Sequence, residues 1–189
     1  MSSYIHPSAH ISPRAKIGEG TSVWINVQIR EDAVIGERCN IGKDVYIDAK
    51  VTIGNGVKIQ NGVSVYQGVQ VEDDVFLGPH MTFTNDLYPR AFNANWTITE
   101  TVVRKGASIG AHATIVCGTE IGEYAMIASG AVVTKSVPPF ALMAGVPARR
   151  IGYVCKCGKP SKIDADQVLR CGTCGFETSI PHTSEEAHD

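Results

Sequence analysis

The chain has no surplus of either charge: 17 Lys and Arg face 19 Asp and Glu, for a net charge of −2. That balance argues against a general polyanion binder, because nucleic-acid domains are usually basic. No apolar run approaches the ~20 residues that a membrane span requires. The start, Met1-Ser-Ser-Tyr-Ile-His-Pro7, offers neither a basic segment nor an apolar one, so no secretory signal is expected and the chain reads as cytoplasmic and soluble. The six cysteines are not spread like a disulfide framework. Apolar periodicity at the helical spacing of 3.6 residues is missing as well. The apolar content, 43%, is nonetheless ample for a core, and 19 glycines suit a fold that turns every few residues.

What the chain does have is an apolar residue at every sixth position. The rungs are Ile5, Ile11, Ile17, Val23, Ile29, Ile35, Ile41, Ile47, Ile53, Ile59, Val65, Val71, Leu77 and Phe83. Four places after each rung stands a small or β-branched residue, from Ala9 and Ala15 to Val69 and Val75, with Met81 last. A period of six fits a short strand plus a corner, repeated, which is the signature of a parallel β-helix. Three hexapeptides make one triangular coil there, so residues eighteen apart stack. Some twenty hexapeptides then give about six to seven coils and a prism roughly 30 Å tall. Glycine often follows the rung directly, as in Ile17-Gly18 and Ile35-Gly36. It is expected there because it tolerates a strained corner backbone.

The ladder breaks over residues 84–102 and resumes at Val103, Ile109, Ile115, Ile121, Ile127 and Val133. From 83 to 103 is not a multiple of six, so a loop has been spliced into the solenoid, and such loops tend to carry function. If Val103 takes the place that residue 89 would have held, Gln67, Asn85 and Cys117 share one column and His80 and His112 another. The loop then leaves the prism beside these polar columns. Prolines after Val137 end the strand pattern. The expected organisation is a β-helix over 1–152, a tail over 153–180 and a polar end over 181–189.

In the tail, Cys155-x-Cys157 and Cys171-x-x-Cys174 lie thirteen residues apart, and each pair is followed by Gly. Four thiolates suit a closed tetrahedral Zn²⁺ site, structural and not catalytic, in a zinc-ribbon-like appendage. Cys39 sits at a small inward position of the ladder and reads as a plain core residue.

The ladder resembles the left-handed β-helix of the hexapeptide-repeat acyltransferases over residues 5 to about 152. Several runs look like one branch, the N-acetyltransferases that act on the 3-amino group of nucleotide-linked sugars in surface-polysaccharide (lipopolysaccharide) biosynthesis. They are Lys58-Ile-Gln-Asn-Gly-Val-Ser-Val-Tyr66, Gly78-Pro-His-Met-Thr-Phe-Thr-Asn-Asp86, Pro89-Arg90-Ala91, Val116-Cys117-Gly118 and Gly145-Val-Pro-Ala-Arg149. Many members read Trp-His-Phe-x-His near the N-terminus, whereas this chain reads Trp24-Ile-Asn-Val-Gln28, which bears on the identity of the sugar nucleotide. The resemblance implies an all-β, left-handed parallel β-helix that forms a homotrimer with acceptor sites between subunits. It implies acetyl-CoA as co-substrate, with Cys117, Ala128, Lys135, Arg149 and Arg150 at the coenzyme, since Arg pairs with phosphate through a planar fork. Gln60, Tyr66, Gln67 and Arg90 are expected at the substrate, and Asn85 is expected to orient the sugar amine.

An amide is not basic at neutral pH, so Asp86 and His80 are the residues here able to take a proton, besides the departing thiolate. Two other readings stand beside the acetyltransferase. A γ-class carbonic-anhydrase-like hydratase shares the β-helix, but a cysteine stands where a third histidine is needed. A non-catalytic trimeric scaffold with the ribbon as a binding head is the other. Binding of coenzyme A separates the first from the last, and metal stoichiometry separates the enzymes.

Overall fold

The computed structural model describes residues 3–180. Over the repeat, twenty strands run from β1 (Tyr4–Ile5) to β20 (Val132–Val133), nearly all of two residues, and each ends on a rung. The strands are short because the chain turns a corner directly after every rung. Residues eighteen apart pair in parallel, as in Tyr4↔Ser22, Ser22↔Asn40 and Asn40↔Lys58. The result is three flat sheets: the first starts at β1, the second at β2 (His10–Ile11) and the third at β3 (Lys16–Ile17). Backbone hydrogen bonds run along the prism from each coil to the next, such as Gly36 N to Ile53 O at 2.8 Å.

The rungs and their small partners fill the interior. Ile41, Ile47, Ile53 and Ile59 are buried, as are Val45, Val51 and Val57, in one continuous core. Each buried Ile stabilises the coil by about 1.5–3 kcal/mol relative to exposure. Cys39 lies in that core as expected. The first coil differs: Ile5 is 49% exposed, because β1 is the end strand of its sheet among the described residues.

The corners correct the expectation for glycine. Gly36, directly after a rung, does not need a left-handed backbone. A Cβ there would stand 2.6 Å from the Gly54 carbonyl carbon, so the requirement is close stacking of coils. Positive φ falls two places later, at Asn26, Asp32, Asp44, His80 and His112 among others, each between 56° and 60°.

Parallel pairing continues past the prolines, within the expected β-helix. Val137 bridges Ile121 in parallel, and β21 (Ala141–Ala144) adds a level above β19 (Met126–Ile127) through Ile127↔Met143. The chain then reverses into antiparallel β22 (Arg149–Val154), β23 (Pro160–Ile163), β24 (Val168–Arg170) and β25 (Glu177–Ser179). The first sheet thus continues into the tail, and the boundary expected at 152/153 falls inside β22. Phe140 joins the two regions: its ring stacks 5.3 Å from Tyr124 of the β-helix and contacts Phe176 of the tail at 6.0 Å. The polar end at 181–189 lies outside the described residues. Among the described residues no helix is long and apolar enough to cross a membrane.

Candidate active site

The loop leaves the prism after β14 (Thr82–Phe83) and rejoins it at β15 (Thr101–Val103), so Thr101 and Val102 belong to a strand and the loop proper is 84–100. Register settles the columns. Val71 pairs with Val103 and Phe83 with Ile115, which stacks Gln67, Asn85 and Cys117 at the corner between the second and third sheets. Lys135, two after Val133, continues the same column and is exposed.

The neck of the loop is tied to this corner. Thr99 N donates to Asn85 O at 2.9 Å, Thr101 N to Gly68 O at 3.0 Å, and Gly118 N to Glu100 O at 2.9 Å. Cys117 N donates to Thr84 Oγ1 at 2.9 Å, and the Cys117 thiol is buried. The Ile98 side chain lies against Gly68, whose φ is +96°, and a Cβ there would collide with it. Asn85 Nδ2 donates to Gln67 O at 3.3 Å, which pins the amide and leaves Oδ1 as the group it can offer.

Below Asn85 lies a support that sequence reading missed. Asp48 accepts from Gln67 N at 3.2 Å, Ala49 N at 2.7 Å, Tyr46 Oη at 3.0 Å and Arg30 Nη1 at 3.0 Å. Burial pushes the Asp48 carboxyl up, but those amides, the hydroxyl and the guanidinium outweigh it and hold it below the usual carboxylate value. The signal was available: Asp48 is one residue after rung Ile47, two coils below Thr84. Tyr66 packs tilted against Tyr46 with centroids 6.1 Å apart. Asp86 caps the first turn of the loop, accepting from Tyr88 N at 2.9 Å. The loop tip carries Tyr88 and Phe92 at 79% and 87% exposure, and the Arg90 guanidinium between them donates to its neighbour's carbonyl, Pro89 O at 2.8 Å.

His80 and His112 stack as expected, with ring centroids 5.4 Å apart and 14° between planes. Their corner is the other one, between the first and second sheets. His80 enters β14 and Asn85 leaves it, so an extended strand holds them roughly 15 Å apart. The expectation that the histidine column adjoins the Asn85 column is therefore corrected for a single chain. Gln60 and Ala128, each directly after a rung of the first sheet, share the histidine edge, and Ala128 N donates to Met143 O at 2.8 Å. Among the described residues of one chain, the four cysteines of the tail are the one group of three or more His, Cys, Asp or Glu ligands brought together.

Arg149 and Arg150 begin β22 at the C-terminal end of the prism. Arg149 Nη1 donates to Ala148 O at 3.2 Å, and the Arg150 guanidinium lies 5.0 Å from the Tyr153 ring centroid. At the other end of β22 the chain enters the cysteine cluster. The four sulfurs of Cys155, Cys157, Cys171 and Cys174 lie within 4.8 Å of one another. Cys155 and Cys174 are 3.5 Å apart, Cys157 and Cys171 3.7 Å. A tetrahedron with Zn–S bonds of about 2.3 Å has edges of about 3.8 Å, so the donor set fits zinc in number, type and spacing. Backbone amides of Cys174 and Thr173 lower the Cys171 thiol to about 6, and burial pushes Cys155 up to about 12.

The family described as "Bacterial transferase hexapeptide (six repeats)" matches residues 14–49 and 100–135, and "Hexapeptide repeat of succinyl-transferase" matches 32–67. A dTDP-3-amino-3,6-dideoxy-α-D-galactopyranose 3-N-acetyltransferase from Aneurinibacillus thermoaerophilus is 49% identical over 170 residues, covering 89% of this chain and 88% of that protein. PerB from Caulobacter crescentus, solved with CoA and GDP-perosamine, is 25% identical with a TM-score of 0.52 over 80% of this chain and 58% of that one. The acetyltransferase domain of PglB from Neisseria gonorrhoeae, solved with acetyl coenzyme A, shares the fold at 23% identity and a TM-score of 0.53, over 79% of this chain and 57% of that one. The chain belongs to the hexapeptide-repeat acyltransferases, in the branch that contains the Aneurinibacillus 3-N-acetyltransferase.

Proposed function

We propose that this chain is an acetyl-CoA-dependent N-acetyltransferase acting on the amino group, at C3, of a nucleotide-linked amino sugar. The observation that carries it is the Asn85 corner at the mouth of the loop, in a chain 49% identical to a 3-N-acetyltransferase over most of both lengths. Asn85 Oδ1 accepts an N–H of the sugar amine and turns its lone pair toward the thioester. The nitrogen attacks the thioester carbonyl, the C–S bond breaks, and coenzyme A leaves as a thiolate. The one proton lost by nitrogen ends on that thiolate, either directly or by way of the Asp86 carboxylate or His80. Holding both substrates at one corner makes the encounter effectively intramolecular, which lowers the entropic part of the barrier.

Tyr66, Gln67 and Arg90 flank the acceptor from the Asn85 side, and Gln60 from the histidine edge. Cys117, Ala128, Lys135, Arg149 and Arg150 take the coenzyme, with the cations toward its phosphates. Because each set has members on both edges of the second sheet, a complete site needs the histidine edge of one copy against the Asn85 edge of another, which supports a homotrimer. The cysteine cluster holds one structural Zn²⁺ and fixes the end of β22. The setting is cytoplasmic, in the building of lipopolysaccharide-type surface sugars.

The test is release of the coenzyme A thiol from acetyl-CoA and dTDP-3-amino-3,6-dideoxy-α-D-galactopyranose, with a panel of 3-amino- and 4-amino-sugar nucleotides. Release with 3-amino substrates is expected. Release with 4-amino substrates alone would move the acceptor position to C4. Coenzyme A binding with no release from any member would overturn the reading.

A further inference from the structure

Two clefts of the β-helix lie at its N-terminal end, well below the Asn85 corner. One, of about 290 Å³, is lined by Trp24, Asn40, Lys43, Gln60 and Asn61 among others. The other, of about 370 Å³, is lined by Ser8, His10, Asn26, Val27 and Gln28. The five-residue run from Trp24 to Gln28 contributes to both. Trp24 is unlike a scattered surface aromatic. Its Nε1 donates to Asn40 Oδ1 at 2.6 Å, Tyr4 packs against it at 5.3 Å between centroids, and the ring is still 44% exposed. The pairings β4 (Ser22–Val23) with β7 (Asn40–Ile41), and β7 with β10 (Lys58–Ile59), put Trp24, Gly42 and Gln60 in one column. Glycine in the middle is required by close packing, since a Cβ on Gly42 would stand 2.8 Å from Asn61 Oδ1. Asn40 and Asn61 each have their amide oxygen engaged, Asn40 by Trp24 and Asn61 by Lys43 N at 3.0 Å. Within the described residues no hydrogen bond engages the Gln60 side-chain amide, while its backbone N donates to Leu77 O at 2.9 Å.

A held aromatic face beside a donor–acceptor amide is the chemistry that recognises a nucleobase: stacking on the π-face, hydrogen bonds along the edge. The position fits the same ligand. The coil of Trp24 lies three coils below that of His80, about 14 Å along the prism at the usual strand spacing. A ribose and a diphosphate bridge a gap of that order between a base and a reacting sugar.

We infer that Trp24 is the stacking platform for the base of the sugar nucleotide, with the Gln60 amide bonding the edge of that base. The run Trp24–Gln28 is thereby the nucleotide-specificity segment of the enzyme. The inference rests on the sugar-nucleotide reading above, and its test can fail separately. Only Trp24 and Trp96 fluoresce as tryptophans in this chain, so a Trp96→Phe background isolates the signal. Titration with dTDP alone should quench Trp24. In steady state, Trp24→Ala should raise the KM for the sugar nucleotide and the inhibition constant of dTDP by about ten- to a hundredfold, the usual effect of losing one base-stacking ring. The KM for acetyl-CoA should not follow, and Trp24→Phe should recover most of the loss. Quenching by dTDP without any acetyl transfer would sink the catalytic reading and leave this one standing. Acetyl transfer with no quenching, and a nucleotide KM that Trp24→Phe and Trp24→Ala leave where it was, overturns the inference.

Discussion

In the proposed reaction Asn85 orients the amine, and its neighbours explain why an amide suits that place. A carboxylate at 85 would face the Gln67 carbonyl without a proton to offer, whereas the Asn85 Nδ2 donates to it and keeps Oδ1 for substrate. Asn85→Ala removes an acceptor that matters most while the amine attacks, so kcat should fall about ten- to a thousandfold. Thermal melting should barely move, since the side chain makes one partly exposed bond. A variant with full kcat on a confirmed substrate would place the amine elsewhere. Column arithmetic put Asn85, Gln67 and Cys117 together before any coordinates. The same arithmetic set His80 in its own column but drew that column too near, because the five-residue step from His80 to Asn85 spans the whole of β14.

Among the elements, the loop depends on one glycine. At Gly68 the backbone is left-handed and the Ile98 side chain occupies the space a Cβ would need. Gly68→Val should therefore displace the neck of the loop and strain the corner, at a cost of about 1–3 kcal/mol for the backbone alone. Calorimetry should show a lowered but cooperative melt, and acetyl transfer should drop far more than stability does. The tail makes a second case. Four thiolates leave no coordination position for substrate. Purified protein should hold about one zinc per chain by elemental analysis, Cys171→Ser should abolish it, and acetyl transfer should survive in part. Because β22 joins Arg149 and Arg150 to Cys155, the residual defect should appear in the KM for acetyl-CoA. Zinc retained by the Cys171→Ser chain would point to ligands outside the cluster.

At the scale of the whole molecule, the two edges of the second sheet decide the assembly. His80, Gln60 and Ala128 on one edge cannot reach Asn85 and Cys117 on the other within a chain. Light scattering should therefore give three chain masses across micromolar concentrations. A persistent monomer with full activity would show that one edge suffices.

The period of six determined by itself the coil, the core and the places of the rungs, because each hexapeptide meets the same neighbours one coil above and below. It also located the loop as the single break in that period, and the cysteine spacing announced a four-sulfur cluster without help from tertiary structure. Other features came only from the folded chain. The exposed first rung, the close coil contact at Gly36, the passage of the first sheet into the tail and the Asp48 support beneath Asn85 all depend on what lies a full coil away or beyond the end of the repeat. A local pattern that is identical on three faces carries no information about which face a residue occupies or what ends the stack. Direction and neighbours along the prism are set by the stacking of coils, and that is a property of the tertiary structure alone.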